Sequence, residues 1–390
     1  MKIYAQHGFG DGTKTFSGLS EDLIDGVIFS PKDITPDTFI EKIESIKGKD
    51  VLIDPQLYVS LYARDPNIKL GKLIEWDFFK GYRRSHLENI ENVNDIIDSN
   101  IEFQLKLPVT SIVTPNIYIS KSFDSIECSI AKNMIRNSRK IYNQKGDNRD
   151  LYASLIISRD ALLDQRELNL FLNDLTALSE SPDGFYLIIG SRSTDVQSDI
   201  YNTDVIAAWM LLNYSLSING YKVINGYSDL LTPLLGVTGG YAGSTGWWSN
   251  LRTFSMERFI PSRSGGRQPV ARYLSLHLHN RITFVERNAF STFIPEVTND
   301  LSTDQFYNPE PSREEEILQS WEALNALTQL AVNDNMLIAL DEYKERLKIS
   351  KSAYLALKAQ GVSIDSKSDD TILDALSESI DEFKKRAEVN

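Results

Sequence analysis

Three aspartates that close apolar runs are the first residues in this chain whose setting suggests chemistry. Asp54 terminates Val51-Leu52-Ile53 and is followed by Pro55, Gln56, Leu57 and Tyr58; Asp33 follows Phe29-Ser30-Pro31-Lys32; Asp160 follows Ile157-Ser158-Arg159. A carboxylate at the tip of a buried strand loses hydration, and unless a cation pairs with it, its pKa rises toward the range useful to a general base. Asp54 is the sharpest case, because Gln56 and Tyr58 would supply hydrogen-bonding and stacking groups to the same pocket. The plain alternative is that Asp54 caps the next helix or holds a backbone amide. Asp33 and Asp160 are the further catalytic candidates. Arg159, Arg192 and Asn225 stand at other strand ends, where a substrate would be held.

A glycine-rich stretch, Gly239-Gly240-Tyr241-Ala242-Gly243-Ser244-Thr245-Gly246, precedes Trp247-Trp248. Read as the loop after a last strand, it would let backbone amides approach a phosphate, with Gly239, Gly240 and Tyr241 in contact with substrate. It matches neither the Walker pattern nor GxGxxG, and glycine also permits a tight turn with no ligand. Beyond it, Arg252, Arg258, Arg263, Arg267, Arg272, Arg281 and Arg287 face only Glu257 and Glu286, and are interleaved with Trp247, Trp248, Phe254, Phe259 and Tyr273. Arginine beside aromatic rings is the combination that holds phosphates while stacking a base, so Trp247, Trp248, Arg252, Arg267 and Arg272 form a candidate nucleic-acid surface. Lys132 to Arg149 is a second basic run, equally readable as a positive helix face. Metal chemistry has little support: His277 and His279 flank Leu278 without a third ligand, and His7 and His86 are isolated. No metal and no cofactor is expected. The single Cys128 lies inside an apparent helix, as structural thiols do, and there is no GxSxG elbow.

Eight short apolar runs would have to carry these residues: Ile3 to Gln6, Gly26 to Ser30, Asp50 to Asp54, Ser111 to Ile119, Leu151 to Ser158, Gly184 to Gly190, Tyr221 to Asn225 and Leu234 to Gly239. Most are continuously apolar, as parallel strands covered by helices are. Helical stretches with Thr35-Pro36-Asp37 or Ser158-Arg159-Asp160 near their starts lie between them. The pattern predicts a (β/α)8 TIM-like barrel over residues 1–308, with an insertion near 60–105 and the basic aromatic segment at 241–287; an open doubly wound sheet is the alternative. After residue 308 the chain reads as helices, Ser312 and Glu315 resembling a capping box. This helical region, 309–390, carries 17 acidic and 10 basic residues, either a solvated face or a docking surface for a protein partner or a second copy.

The whole chain of 390 residues has a formal charge of −13, 42% hydrophobic and 24% charged residues, the balance of an ordinary globular protein rather than a disordered one. No apolar run approaches the ~18 residues of a membrane span, and the start lacks a signal-peptide core, so a cytoplasmic protein with no membrane association is expected. One cysteine leaves no room for a disulfide framework or a multi-cysteine zinc site.

Asn225-Gly226-Tyr227-Ser228-Asp229-Leu230-Leu231, followed by Leu235-Gly236-Val237-Thr238-Gly239, resembles the late-barrel segment of the tRNA-guanine transglycosylase superfamily. Ile53-Asp54-Pro55-Gln56 is similar to that family's Thr-Asp-Ser-Gly strand end, and Gly184 to Gly190 to its base-recognition strand. The similarity covers Ile3 to about Asn280. The family's nucleophilic aspartate would fall on Thr238, and its three-cysteine, one-histidine zinc cluster has no counterpart. The resemblance, closest to DNA glycosylases that act on modified phage DNA in antiviral defence, implies hydrolysis of an N-glycosidic bond. Asp54 would stabilise an oxocarbenium-like sugar and activate water, while the base is held in the barrel mouth and DNA, rather than RNA, is the partner. Two other functions fit the residues: a barrel hydrolase or lyase acting on a small phosphorylated or sugar substrate, and a non-catalytic nucleic-acid-binding subunit.

Overall fold

The computed structural model describes residues 1–10, 12–193, 199–261, 269–306 and 311–389. Eight parallel strands form a nearly closed barrel: β1 (Lys2–Gln6), β2 (Gly26–Phe29), β3 (Asp50–Ile53), β4 (Ser111–Thr114), β5 (Asp150–Ser158), β6 (Gly184–Ser191), β7 (Lys222–Gly226) and β8 (Ala242–Thr245). Hydrogen-bonded neighbours run β3-β2-β1-β8-β7-β6-β5-β4, with Ala5 in register with both Val27 and Thr245. The remaining seam, between β3 and β4, is stitched by Thr110, whose N–H donates to the Val51 carbonyl (2.9 Å) while its hydroxyl accepts from the Val51 N–H (2.8 Å). Helices α1 (Thr13–Ser20), α2 (Pro36–Ile43), α3 (Ile90–Leu105), α4 (Ile126–Asn143), α5 (Gln165–Thr176), α6 (Thr203–Ile218) and α7 (Thr232–Val237) follow successive strands. The TIM-like barrel read from the sequence is therefore the fold. Its strands are continuously apolar because both faces are covered, by the barrel interior and by the helices.

The helices start where local chemistry provides a cap. Thr35 accepts from the Thr38 N–H ahead of Pro36, Ser125 from Cys128, Asp164 from Glu167 and Asn202 from Val205. The long β3-to-β4 link carries 3-10 turns, then α3. Trp76 seals it onto the barrel, donating from its indole N–H to the Ile34 carbonyl (2.9 Å) and packing between Phe39 and Phe103.

One strand differs from the expectation. Leu234 to Gly239 is not β8 but lies largely in α7, and the true β8 is the supposed phosphate loop. Periodicity cannot separate a short buried helix from a strand, whereas Pro233 in the first turn favours the helix. Gly243 then serves close packing: a Cβ there would lie 2.4 Å from Thr232 of α7.

The C-terminal helices expected from the sequence are present and pack directly on the barrel wall. Helix α8 (Arg313–Leu330) lies against β1, α1 and α7, filling the place of an eighth outer helix. α9 (Met336–Ala359) follows, and α10 (Thr371–Arg386) packs along α6, which explains why α6 is apolar on nearly every side. An antiparallel hairpin, Arg272–Ser275 with Asn280–Thr283, is fastened to α8 by reciprocal bonds between Leu274 and Gln319 (3.0 Å each). His277 and His279 occupy its turn rather than one face of a strand, with His279 at φ 50 and its Nδ1 3.1 Å from the Ser350 hydroxyl. No helix among the described residues is long and apolar enough to cross a membrane.

Candidate active site at the carboxyl ends of the strands

Strand register decides which side chains enter the barrel. Gln6, Ile28 and Leu52 are partners across β1, β2 and β3, so Ser30 and Asp54, two residues further on, point into the mouth at the C-terminal end. Asp54 is 1% exposed. One carboxylate oxygen accepts from the Tyr58 hydroxyl (2.8 Å) and the other from the Gln56 N–H (3.1 Å). Burial raises its pKa to about 6, against the opposing pull of those two hydrogen bonds and of Arg258. Gln56 makes this arrangement possible from the left-handed region (φ 54), its side chain accepting from the Lys32 N–H (2.9 Å) and donating to Ser30 (2.8 Å). Strained backbone of this kind is usual where a side chain must be aimed.

Asp33 joins the same site through Arg258. The buried guanidinium donates to Ser30 (3.1 Å), to Asp33 (3.0 Å) and, by a short bond, to the Tyr227 hydroxyl. Burial opposes the Arg258 charge, but Tyr227 and Asp33 more than compensate and keep it cationic. Tyr58, Tyr186 and Tyr227 surround Asp54, and burial raises all three phenol pKa values, so they act as neutral donors. Tyr227, like Gln56, has positive φ (56). Above them Phe254 lies edge-on to Tyr58 (5.2 Å) and tilted against Tyr227 (5.3 Å), roofing the mouth from the segment that follows β8. Among the described residues, the Gln6 side-chain amide nitrogen, Arg258 Nε and the His7 ring are buried here without a protein partner, and burial lowers the His7 pKa to about 4.

Asp160 belongs to a different network. It pairs with Arg192 (2.6 Å), and Arg159 lies between Asp160 (3.5 Å) and Asp199 (3.2 Å), which also accepts from Ser191 (2.6 Å). Arg192 is exposed and Asp160 only partly buried, so Asp160 is far less desolvated than Asp54.

Several other expected site residues are elsewhere. Asn225 faces outward from β7 to α6, its amide fully engaged with Trp209 (2.7 Å) and Asn213 (2.7 and 3.0 Å). Gly239, Gly240 and Tyr241 precede β8 and therefore lie at the opposite, N-terminal end of the barrel, where the Lys2 N–H donates to the Tyr241 carbonyl (3.0 Å). Gly239 is needed there for φ +99 and for close approach to Ser217. The two lysines flanking Tyr241, Lys2 and Lys222, are paired with Asp50 and Asp150 (2.6 Å each). Thr238, aligned with the transglycosylase nucleophile, ends α7 with its hydroxyl donating to the Leu235 carbonyl (3.2 Å), away from the mouth.

Among the described residues, Arg252, Arg258, Arg272 and Arg281 of the belt are turned inward. Arg252 donates to the Gly246 carbonyl (3.1 Å) and faces Glu316 of α8 (3.7 Å), Arg272 pairs with Asp365 (2.6 Å), and Arg281 grips Asp229 with both terminal nitrogens (2.7 and 2.9 Å). Trp247 is buried against His7, and Trp248 is half-buried beside Arg313. The expected nucleic-acid contacts of Arg252, Arg272 and Trp247 conflict with this placement, since these groups hold the barrel to its C-terminal helices. Arg267 lies outside the described residues. In the basic run from Lys132, Lys132, Arg139, Lys145 and Arg149 are paired with Asp174, Asp183, Asp98 and Glu102, and Asp147. Among the described residues no three His, Cys, Asp or Glu side chains gather as metal ligands would.

The sequence reading did not select Ser30, Tyr186 or Arg258 for the site. Tyr186 had a signal, a hydroxyl-bearing ring inside the β6 run and on its inward side; Arg258 had none that distinguished it from its neighbouring arginines. No family model and no curated protein matches the chain. Among solved structures it is similar to dihydrodipicolinate synthase from Oceanobacillus iheyensis, at 11% identity and a TM-score of 0.23, over 98% of this chain and 96% of that one.

Proposed function

We propose that the protein is an enzyme performing general acid–base catalysis on a small substrate in the barrel mouth, a hydrolase or lyase with Asp54 as the base. The observation that carries this reading is Asp54 itself: a fully buried carboxylate held only by neutral donors, with a pKa raised to about 6. Such a group is ionised enough at neutral pH to accept a proton and basic enough to do so usefully. The Tyr58, Tyr186 and Tyr227 hydroxyls and the Arg258 guanidinium would meet negative charge developing on a substrate oxygen, beneath the Phe254 ring. Excision of a base from DNA, the reading drawn from the sequence, would use the same carboxylate. It lacks support from the belt residues whose guanidinium groups are turned inward.

A screen of small phosphorylated, sugar and nucleoside compounds, run beside modified and unmodified DNA with Asp54→Asn as the paired control, tests the proposal. Turnover of a small compound, reduced at least ~100-fold in the variant, is the expected result. Release of free base from DNA would favour the nucleic-acid reading instead. Turnover that survives in Asp54→Asn would overturn Asp54 as the base.

A further inference from the structure

We infer that a depression on the rim of the barrel mouth binds a phosphoryl group, which assigns the substrate to the class of small phosphorylated compounds. The inference rests on the reading of Asp54 as the reaction centre only for its second half; the anion site stands on its own residues.

The depression, about 560 Å³, is lined by Lys32, Lys69, Asn250, Glu257, Arg258 and the Ile260-Pro261 pair. Three separate loops build it: the one after β2 gives Lys32, the β3-to-β4 insertion gives Lys69, and the segment after β8 gives the rest. Backbone hydrogen bonds hold them together. The Lys69 N–H donates to the Phe259 carbonyl (2.6 Å), and the Lys72 N–H to the Lys32 carbonyl (2.9 Å). Gly71 has φ +58, and a Cβ on it would lie 2.5 Å from the Lys32 carbonyl oxygen, so only glycine lets the insertion come this close. The backbone segments that carry the cationic side chains are thus held together by the fold.

Their charges are incompletely matched. Lys32, Lys69 and Arg258 meet Glu257 on the lining and Asp33 behind it, Asp33 lying 3.7 Å from Lys32 and 3.0 Å from Arg258. Lys69 has no side-chain partner among the described residues. Burial lowers the Lys32 pKa against the opposing pull of Asp33, and Arg258 and Lys69 add smaller depressions from nearby like charge. Two lining residues also have buried polar atoms without a protein partner: Arg258 Nε, a donor, and the Asn250 side-chain amide oxygen. A dianion against Lys32 and Lys69 would relieve the repulsion and give the Arg258 Nε–H an acceptor. Arg258 connects this site to the reaction centre, because its other two nitrogens hold Tyr227, Ser30 and Asp33 beside Asp54. A phosphoryl group bound here would anchor a substrate whose reacting part lies toward Asp54, supplying the remote binding energy such sites use.

Calorimetric titration of the full chain with inorganic phosphate, and in parallel with acetate, tests the site. Phosphate is expected to bind, and to bind roughly tenfold more weakly in Lys69→Gln and in Lys32→Gln, each checked for native fold by circular dichroism. Glu257→Gln should tighten phosphate several-fold, which loss of structure could not do, and Asp54→Asn should retain phosphate binding. Failure of phosphate to bind the wild type, acetate binding as tightly, or unchanged affinity in both lysine variants would overturn the inference. Phosphate binding without any turnover in the substrate screen would leave the anion site standing and remove only the catalytic reading.

Discussion

At the scale of single residues, the site is defined by what burial does to one carboxylate. The folded protein holds the Asp54 proton up to about pH 6, whereas an ordinary aspartate releases it near 3.8. A raised carboxyl pKa means that the folded state binds the proton more tightly than the unfolded chain. The destabilisation due to Asp54 is therefore absent below pH 4, grows between about 4 and 6, and is complete above that. Asp54→Asn cannot ionise, so it should match the wild type near pH 4 and exceed it in stability at pH 8, by on the order of 1–3 kcal/mol. Urea unfolding at the two pH values measures this, and a variant less stable than wild type at pH 8 would contradict the buried, unpaired setting. Stability given up for a poised group is the usual cost of an active site. Asp33 and Asp54 were legible because each follows an apolar run. Tyr186 and Arg258 were not, because nothing local distinguishes an inward tyrosine or arginine from an outward one.

At the scale of elements, the hairpin Arg272–Thr283 is the fastener between barrel and C-terminal helices. Its Arg281 is buried, reaches Asp229 after β7 and Ser320 on α8, and Asp229 in turn accepts from Thr245 on β8. Removing one partner of such a pair strands the other's charge in low dielectric, so Arg281→Met should cost about 3–5 kcal/mol. Asp229→Asn in the same chain should restore part of that loss, since no uncompensated charge remains. Guanidinium unfolding of the two single variants and the double variant completes the cycle, and additive losses would deny the coupling. The described residues Arg252, Arg272 and Arg281 of the segment that looked like a polynucleotide-binding belt thus form an internal brace. Spacing alone cannot tell these two apart, because arginine beside aromatic residues suits a buried ion-pair network as well as a phosphate backbone.

At the scale of the whole molecule, the barrel and the C-terminal helices share one hydrophobic core. Trp321 of α8 is fully buried and sits so close to α1 that a Cβ on Gly18 would lie 2.6 Å from its ring. A chain ended at residue 308, the boundary suggested by composition, would leave β1, α1 and α7 without the helix that covers them. Such a truncation should give no cooperative unfolding transition in near-ultraviolet circular dichroism, whereas the intact chain should give one; a stable 1–308 barrel would show that α8 is dispensable.

The sequence by itself determined the barrel, seven of its eight strands and the buried tip at Asp54, because continuous apolar runs and helix caps are local facts that the chain carries wherever it folds. Only the tertiary structure decided which run was the eighth strand, which arginines turn inward, and that the last helices complete the barrel wall. Those choices depend on register and on partners far apart along the chain: Asp229 with Arg281, Arg258 with Asp33, Gly18 with Trp321. Charge pairing and close packing are satisfied between surfaces that meet only when the fold is complete.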